Sequence, residues 1–160
     1  MAIEYRVGKP TDLKQLLPLV EAFAREQQAQ IPINDLADNF MDYARSGLAQ
    51  AIEHPAACVM VAEEQEGGPR IVGYAVGMLQ EPPAIFRPEL FTFISDLYVL
   101  PEHRRKGIGS GLVERVRGWG YLKGAYRLSL ILPTGSPALT LYERLGFKPI
   151  QTMLYAGAGQ

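Results

Sequence analysis

What this chain lacks narrows its chemistry before any motif is read. Among 160 residues there is one cysteine, Cys58, so an internal disulfide is excluded and the thiol content fits a reducing, cytoplasmic compartment. Histidines number two, and no His, Cys and carboxylate cluster stands at ligand spacing, so no metal is expected. No stretch approaches the ~18 consecutive apolar residues of a membrane span, and Met1 to Arg6 lacks a charged-then-apolar leader pattern. Neither sign of charge prevails. With 16 Lys and Arg against 17 Asp and Glu, the net charge of −1 supplies no field to hold nucleic acid or an anionic membrane. The sequence Gly-x-x-x-x-Gly-Lys-Ser/Thr is absent too, and no acidic cluster fits Mg²⁺, which argues against nucleotide phosphotransfer. What remains is a 48% hydrophobic chain of ordinary composition, read as one soluble domain over 1–160.

Periodicity orders that domain. Ile3 to Val7 alternates apolar and polar, as a half-buried strand does. Pro10-Thr11-Asp12 offers a helix start, followed by Leu13, Leu16, Leu17, Val20 and Phe23 at helical spacing. Ile31-Pro32-Ile33-Asn34 ends that helix, and a second is expected from about Asp35 to Glu53. Cys58 to Ala62 and Arg70 to Leu79 flank a Gly-Gly-Pro turn and predict a hairpin. The proline-rich Gln80 to Pro88 is a loop, and Phe91 to Val99 a further strand. A helix is expected from Ile108 to Lys123, stopped by Gly124, then a strand over Tyr126 to Leu132. Ser136-Pro137 reads as the cap of a last helix, closed by Gly146, and Phe147 to Tyr155 as a final strand. The order β-α-α-β-β-β-α-β-α-β, hairpins first and crossover helices second, predicts an α/β (α+β) domain with a mixed sheet flanked by helices.

The segment from Ile94 to Gly109 carries the most chemical information. It passes from an apolar strand through a basic, glycine-bearing loop, Arg104-Arg105-Lys106-Gly107-Ile108-Gly109, directly into a helix. A helix N-terminus presents free amides and the positive end of its dipole, so this junction is built for an anion such as a diphosphate. Gly107 and Gly109 allow close backbone approach, and Arg104, Arg105 and Lys106 add attraction.

These residues resemble the GNAT superfamily of N-acetyltransferases. The Gln/Arg-x-x-Gly-x-Gly/Ala motif is met by Arg104 to Gly109. Asp96-Leu97-Tyr98-Val99 ahead of it, and Leu141-Tyr142-Glu143-Arg144-Leu145-Gly146-Phe147 behind it, also match. The resemblance spans Ile3 to about Tyr155. It implies transfer of an acetyl group from acetyl-CoA, as co-substrate, to the primary amine of a small molecule or peptide. It places the diphosphate on the amides of Arg104 to Gly109, Ile108 included, and the pantetheine arm along Leu97, Tyr98 and Val99 as an added strand. The Val99 amide becomes the oxyanion donor, and the sheet must splay beyond this strand. Tyr142 becomes the general acid at the CoA sulfur, and Asp96 the base or amine-orienting carboxylate. A homodimer through the open last edge is a further implication.

Plain alternatives accompany each assignment. Tyr142 shares a stripe with Ala138, Leu141 and Leu145, where an aromatic is usually core. Asp96 can be a carboxylate held by neighbouring groups, and Thr92, Phe93 and Ser95 supply no second acid where relatives often carry glutamate. The asparagine that relatives place seven residues before the tyrosine is Gly135 here, so its pantetheine contact passes to Ser136 or is absent; Ser136 also reads as a helix cap. His103 reads as a surface turn residue and Cys58 as packing. The rival function is a non-catalytic acyl-CoA-binding regulatory module.

Overall fold

Strand pairing follows the apolar patterning closely through the middle of the chain. In a computed structural model describing residues 2–31 and 33–159, β1 (Ile3–Val7), β2 (Ala57–Glu64), β3 (Arg70–Gln80) and β4 (Phe91–Val99) are successive antiparallel neighbours. A two-residue β5 (Leu128–Ser129) runs parallel to β4 and completes a mixed sheet in the order β1-β2-β3-β4-β5. Pro32, part of the expected helix break, lies outside the described residues. No described helix is long and apolar enough to cross a membrane.

Alternation along β2 explains how the sheet is covered. Val59 and Val61 face α1 (Leu13–Gln30) and α2 (Phe40–Glu53), packing with Leu16, Leu17, Val20, Leu48, Tyr74 and Tyr98. Cys58, Met60 and Ala62 face α3 (Ile108–Leu122) and α4 (Leu139–Arg144), packing with Leu112, Val113, Val116 and Tyr142. Cys58 is therefore core, and burial pushes its thiol up to about 11, which removes it as a nucleophile.

Helix α3 lies very close to the sheet. A Cβ on Gly77 would stand 2.6 Å from Val116 Cγ1, and one on Gly120 would overlap the hydroxyl of the fully buried Thr92. Gly120→Ala is therefore expected to lower stability by ~1–3 kcal/mol, measured by urea unfolding, because Thr92 has no space to retreat. A rise in the denaturation midpoint would contradict this packing.

At the opposite edge, Arg6 of β1 makes a fork to both Asp12 oxygens (2.7 and 3.0 Å) and reaches Glu63 Oε2 at 2.7 Å. Asp12 Oδ2 also accepts from the Lys9 amide at 2.7 Å, and Glu63 Oε1 from Gln65 at 3.0 Å. The Arg6 hydrogen bonds hold both carboxyls below their ordinary range.

Five sequence expectations differ from the structure. No strand forms over Phe147 to Tyr155; Ile150, Met153, Leu154 and Tyr155 are exposed and unpaired. The strand expected over Tyr126 to Leu132 pairs only at Leu128–Ser129, because β4 leaves it beyond Phe93, so the sheet offers no ladder to extend. Helix α2 begins at Phe40 rather than near Asp35, and α4 at Leu139 rather than Pro137. His103 is buried rather than on the surface, its Nε2 lying 3.1 Å from Glu64 Oε2.

Candidate active site

An extra residue in β4 creates the site. The β3–β4 register passes from Val76↔Asp96 to Gly77↔Ile94, leaving Ser95 as a bulge. Below the bulge β4 pairs with β5 at Thr92↔Leu128 and Phe93↔Ser129; above it β5 contributes no partner. The Leu100 amide donates to Val72 O at 2.9 Å, which fixes the alternation: the amides of Tyr98 and Asp96 face β3, and those of Leu97 and Val99 face the gap. The splay required of the sheet is present.

The glycine loop closes one end of that gap. Arg105 has φ of 60° and Gly107 of 82°, so two left-handed residues turn the chain sharply into α3. The first helical bond runs from the Gly111 amide to Gly107 O at 3.0 Å, leaving the Ile108, Gly109 and Ser110 amides without intrahelical partners. A Cβ on Gly109 would sit 3.4 Å from Leu141 Cδ2 and 3.9 Å from Leu97 Cδ2. Gly107 thus supplies a backbone conformation, whereas Gly109 keeps the gap between β4 and α4 from filling. Arg105 and Lys106 are exposed and make no ion pair among the described residues. Arg104 differs: its Nε donates to Val99 O at 2.9 Å and its terminal nitrogen meets Glu26 of α1 at 3.0 and 3.2 Å.

Asp96 and Tyr142 approach from opposite faces of the sheet. After the bulge, Asp96 shares the α1/α2 face with Tyr74 and Tyr98. Its Oδ2 accepts from the Tyr74 hydroxyl and its Oδ1 from Ser95 Oγ, both at 2.8 Å, so each oxygen keeps a lone pair for an incoming N–H. Burial, then the Asp96 charge and hydrogen bond, push the Tyr74 phenol well up, so it remains a donor. Tyr142 belongs to the α3/α4 face, 5% exposed and edge-on to Phe147 at 5.3 Å. Burial alone raises its phenol, with no protein hydrogen bond contributing.

Ser136 acts as the turn cap: its Oγ accepts from the Ala138 amide at 3.2 Å. Gly135 before it has φ of 79°, the left-handed region where asparagine is the commonest substitute for glycine, so the two residue types suit the same turn. Ile85 and Phe86 of the proline loop are exposed. An open hollow between α1 and α2, near 600 Å³ and lined in part by Lys14, Glu21, Met41 and Arg45, touches none of these residues. Sequence reading missed Tyr74 and Glu26. A tyrosine within the aliphatic run Ile71 to Val76 was the available signal, since a buried hydroxyl needs a partner; Glu26 carried none.

Comparison with known proteins agrees with this geometry. The model of the acetyltransferase (GNAT) family matches residues 15–147. Human N-acetyltransferase 8 is 29% identical over 140 residues, 83% of this chain and 55% of that protein, so the chain spans about half of that relative's length. Bovine thialysine N-epsilon-acetyltransferase is 26% identical over 88% of this chain and 81% of that protein. Among solved structures, a predicted acetyltransferase from Clostridium acetobutylicum with acetyl-CoA superposes with TM-score 0.76 at 16% identity, covering 98% of this chain and 96% of that one. AAC(6')-Iy in complex with the bisubstrate analog CoA-S-monomethyl-acetylneamine gives TM-score 0.73 at 16% identity, covering 98% of each chain. Family model and fold together define the class, that of the GNAT-type acetyltransferases. The chain belongs to the acetyltransferase (GNAT) family.

Proposed function

We propose that residues 1–160 form one N-acetyltransferase domain that moves an acetyl group from acetyl-CoA directly to a primary amine on a small molecule or peptide. The observation that carries this reading is the gap beside β4, where the Leu97 and Val99 amides lack a strand partner and run toward the free amides of Ile108, Gly109 and Ser110. A pantetheine arm supplies the missing strand, and a diphosphate the missing acceptors. Arg105 and Lys106 add charge at the solvent side. Ser136 serves the site by shaping the turn ahead of Tyr142.

The reaction has a simple proton balance. An alkylammonium must lose one proton to become a nucleophile and a second to become an amide; the departing thiolate takes up one. Asp96 accepts hydrogen bonds from the ammonium and orients it, passing the first proton on, directly or through water. The thioester carbonyl becomes an oxyanion facing the Val99 amide. Tyr142, kept protonated by its buried setting, donates to the sulfur as the C–S bond breaks, and the second proton of the amine restores the phenol.

Thermal unfolding with acetyl-CoA tests this reading. Ligand at 100 times its Kd stabilises by ~2.7 kcal/mol, which raises Tm by roughly 5–10 °C for a chain this size. Gly107→Val, which places a β-branched side chain at left-handed backbone, is expected to abolish that shift. Release of free CoA across a panel of primary amines then identifies the acceptor class. An unchanged Tm at millimolar acetyl-CoA would overturn the proposal. Binding without CoA release from any amine would favour a regulatory acyl-CoA-binding module.

A further inference from the structure

One ion pair joins α1 to the loop that follows β4, and its geometry is more specific than its stability justifies. Glu26 lies in the penultimate turn of α1, and both its oxygens meet the terminal nitrogen of Arg104, at 3.0 and 3.2 Å. The side chains are 43% and 42% exposed, and so open a pair adds little to folding. Arg104 Nε, however, donates to Val99 O at 2.9 Å, and its guanidinium lies over the Tyr98 ring, 5.2 Å from the centroid. Phe23, one helical turn before Glu26, packs edge-on against the same Tyr98 ring at 6.4 Å.

The Val99–Leu100 peptide is consequently held at both ends. Its oxygen accepts from Arg104, and its N–H donates to Val72 O at 2.9 Å. Anchoring that peptide plane leaves the adjacent Val99 N–H, which faces the gap, only the φ and ψ of Val99 about which to swing, and so narrows its direction. The guanidinium can span Val99 O and Glu26 together because its donors form a rigid fork; an ammonium cannot. Glu26 removes the freedom Arg104 would otherwise have to turn toward an anion in the loop.

We propose that Glu26 is a positioning residue for acyl transfer, acting through Arg104 to aim the Val99 amide at the thioester oxygen. The inference rests on the acetyltransferase reading above. Arg104 contributes its side chain to this brace and not to the diphosphate, so cofactor affinity and the chemical step depend on different members of the same six-residue loop.

The test uses Glu26→Gln and Arg104→Lys, singly and together, in the full chain with acetyl-CoA. Three readouts are followed: the acetyl-CoA dissociation constant by calorimetry, the ¹H–¹⁵N resonance of Val99, and kcat with whichever amine releases CoA fastest. Each single variant is expected to lower kcat roughly tenfold, as small misplacements of a donor do, with affinity within about twofold of wild type. The double variant is expected to be no worse than Arg104→Lys alone, since both act through one link. Addition of acetyl-CoA is expected to move the Val99 resonance in wild type and to move it less in each variant, a readout that needs no amine.

Other outcomes overturn the proposal in distinguishable ways. Weaker acetyl-CoA binding in Arg104→Lys with tighter binding in Glu26→Gln would make Arg104 a diphosphate ligand that Glu26 merely competes for. A lowered Tm with a Val99 resonance that responds as in wild type would leave only a structural brace. Variants indistinguishable from wild type remove the link alone. A wild-type protein that neither binds acetyl-CoA nor shifts that resonance removes the acetyltransferase reading itself.

Discussion

Replacing Tyr142 with phenylalanine is expected to lower kcat by ~10²-fold or more while leaving acetyl-CoA affinity unchanged, because loss of a positioned general acid typically costs 10²–10⁴. The substitution removes one oxygen and keeps the ring, so the edge-on contact with Phe147 and the packing of the α3/α4 face survive. The phenol has no hydrogen-bond partner among the described residues, so no buried group there is stranded when it goes. Stability should therefore hold or rise slightly, and that split separates an acid from a core aromatic. If Tyr142 is only packing, kcat will follow wild type. Its raised phenol also predicts the pH profile: no limb from Tyr142 deprotonation through the neutral and mildly alkaline range, since the donor form persists above the ordinary tyrosine value. Measuring kcat/KM between pH 6 and 10 for wild type and variant checks this, and an alkaline loss present only in wild type would contradict it.

The second large effect concerns folding. Arg6→Ala is expected to cost ~3 kcal/mol, toward the lower end of 3–5 for breaking a buried pair, because the Arg6 side chain is 21% exposed. For a chain of this size that is a fall in Tm of roughly 6–12 °C. The loss arises less from the missing attraction than from two carboxylates, Asp12 and Glu63, left buried with one partner fewer. Both have folded-state pKa values below their unfolded ones. Their contribution is therefore fully present above the unfolded values, near pH 4, and lost as pH falls through the folded ones. Wild type should lose stability steeply on acidification in that window, and Arg6→Ala should lose much less. Parallel acid-unfolding curves for the two proteins would show that Arg6 does not set those carboxyls.

Where periodicity and punctuation agreed, the sequence was legible. The hairpin of β2 and β3, the full extent of β4 and the start of α3 all lie where alternation, the Gly67-Gly68 turn and the Gly107 junction place them. The region after α3 was not legible, because alternation in Tyr126 to Leu132 and Phe147 to Tyr155 shows that these residues can form strands, not that a neighbour is present to pair with them. For Tyr126 to Leu132 the ladder with β4 ends at Phe93, just before the Ser95 bulge, which is a matter of register between β3 and β4 and leaves no mark in the composition of either. The same limit applies at the site. A glycine motif announces free amides locally, whereas the Tyr74 hydroxyl on Asp96 joins residues 22 apart and the Glu26–Arg104 pair joins residues 78 apart. His103 was misplaced for that reason as well: its partner, Glu64, comes from the far end of a different strand.

The parting of β4 from β5 has a consequence for how two substrates could meet. The unpaired side of β4 borders both faces of the sheet, that of α3 and α4 and that of α1 and α2. On the proposed reading, the donor enters by the first and the acceptor by the second, so neither has to leave for the other to arrive. An acetyl group can then cross in a single jump, without being parked on the protein; the core thiol of Cys58, held neutral by burial, offers it no place to stop. Evolution of a new acceptor would need to remodel only the second face, leaving the first, and the loop that guards it, untouched.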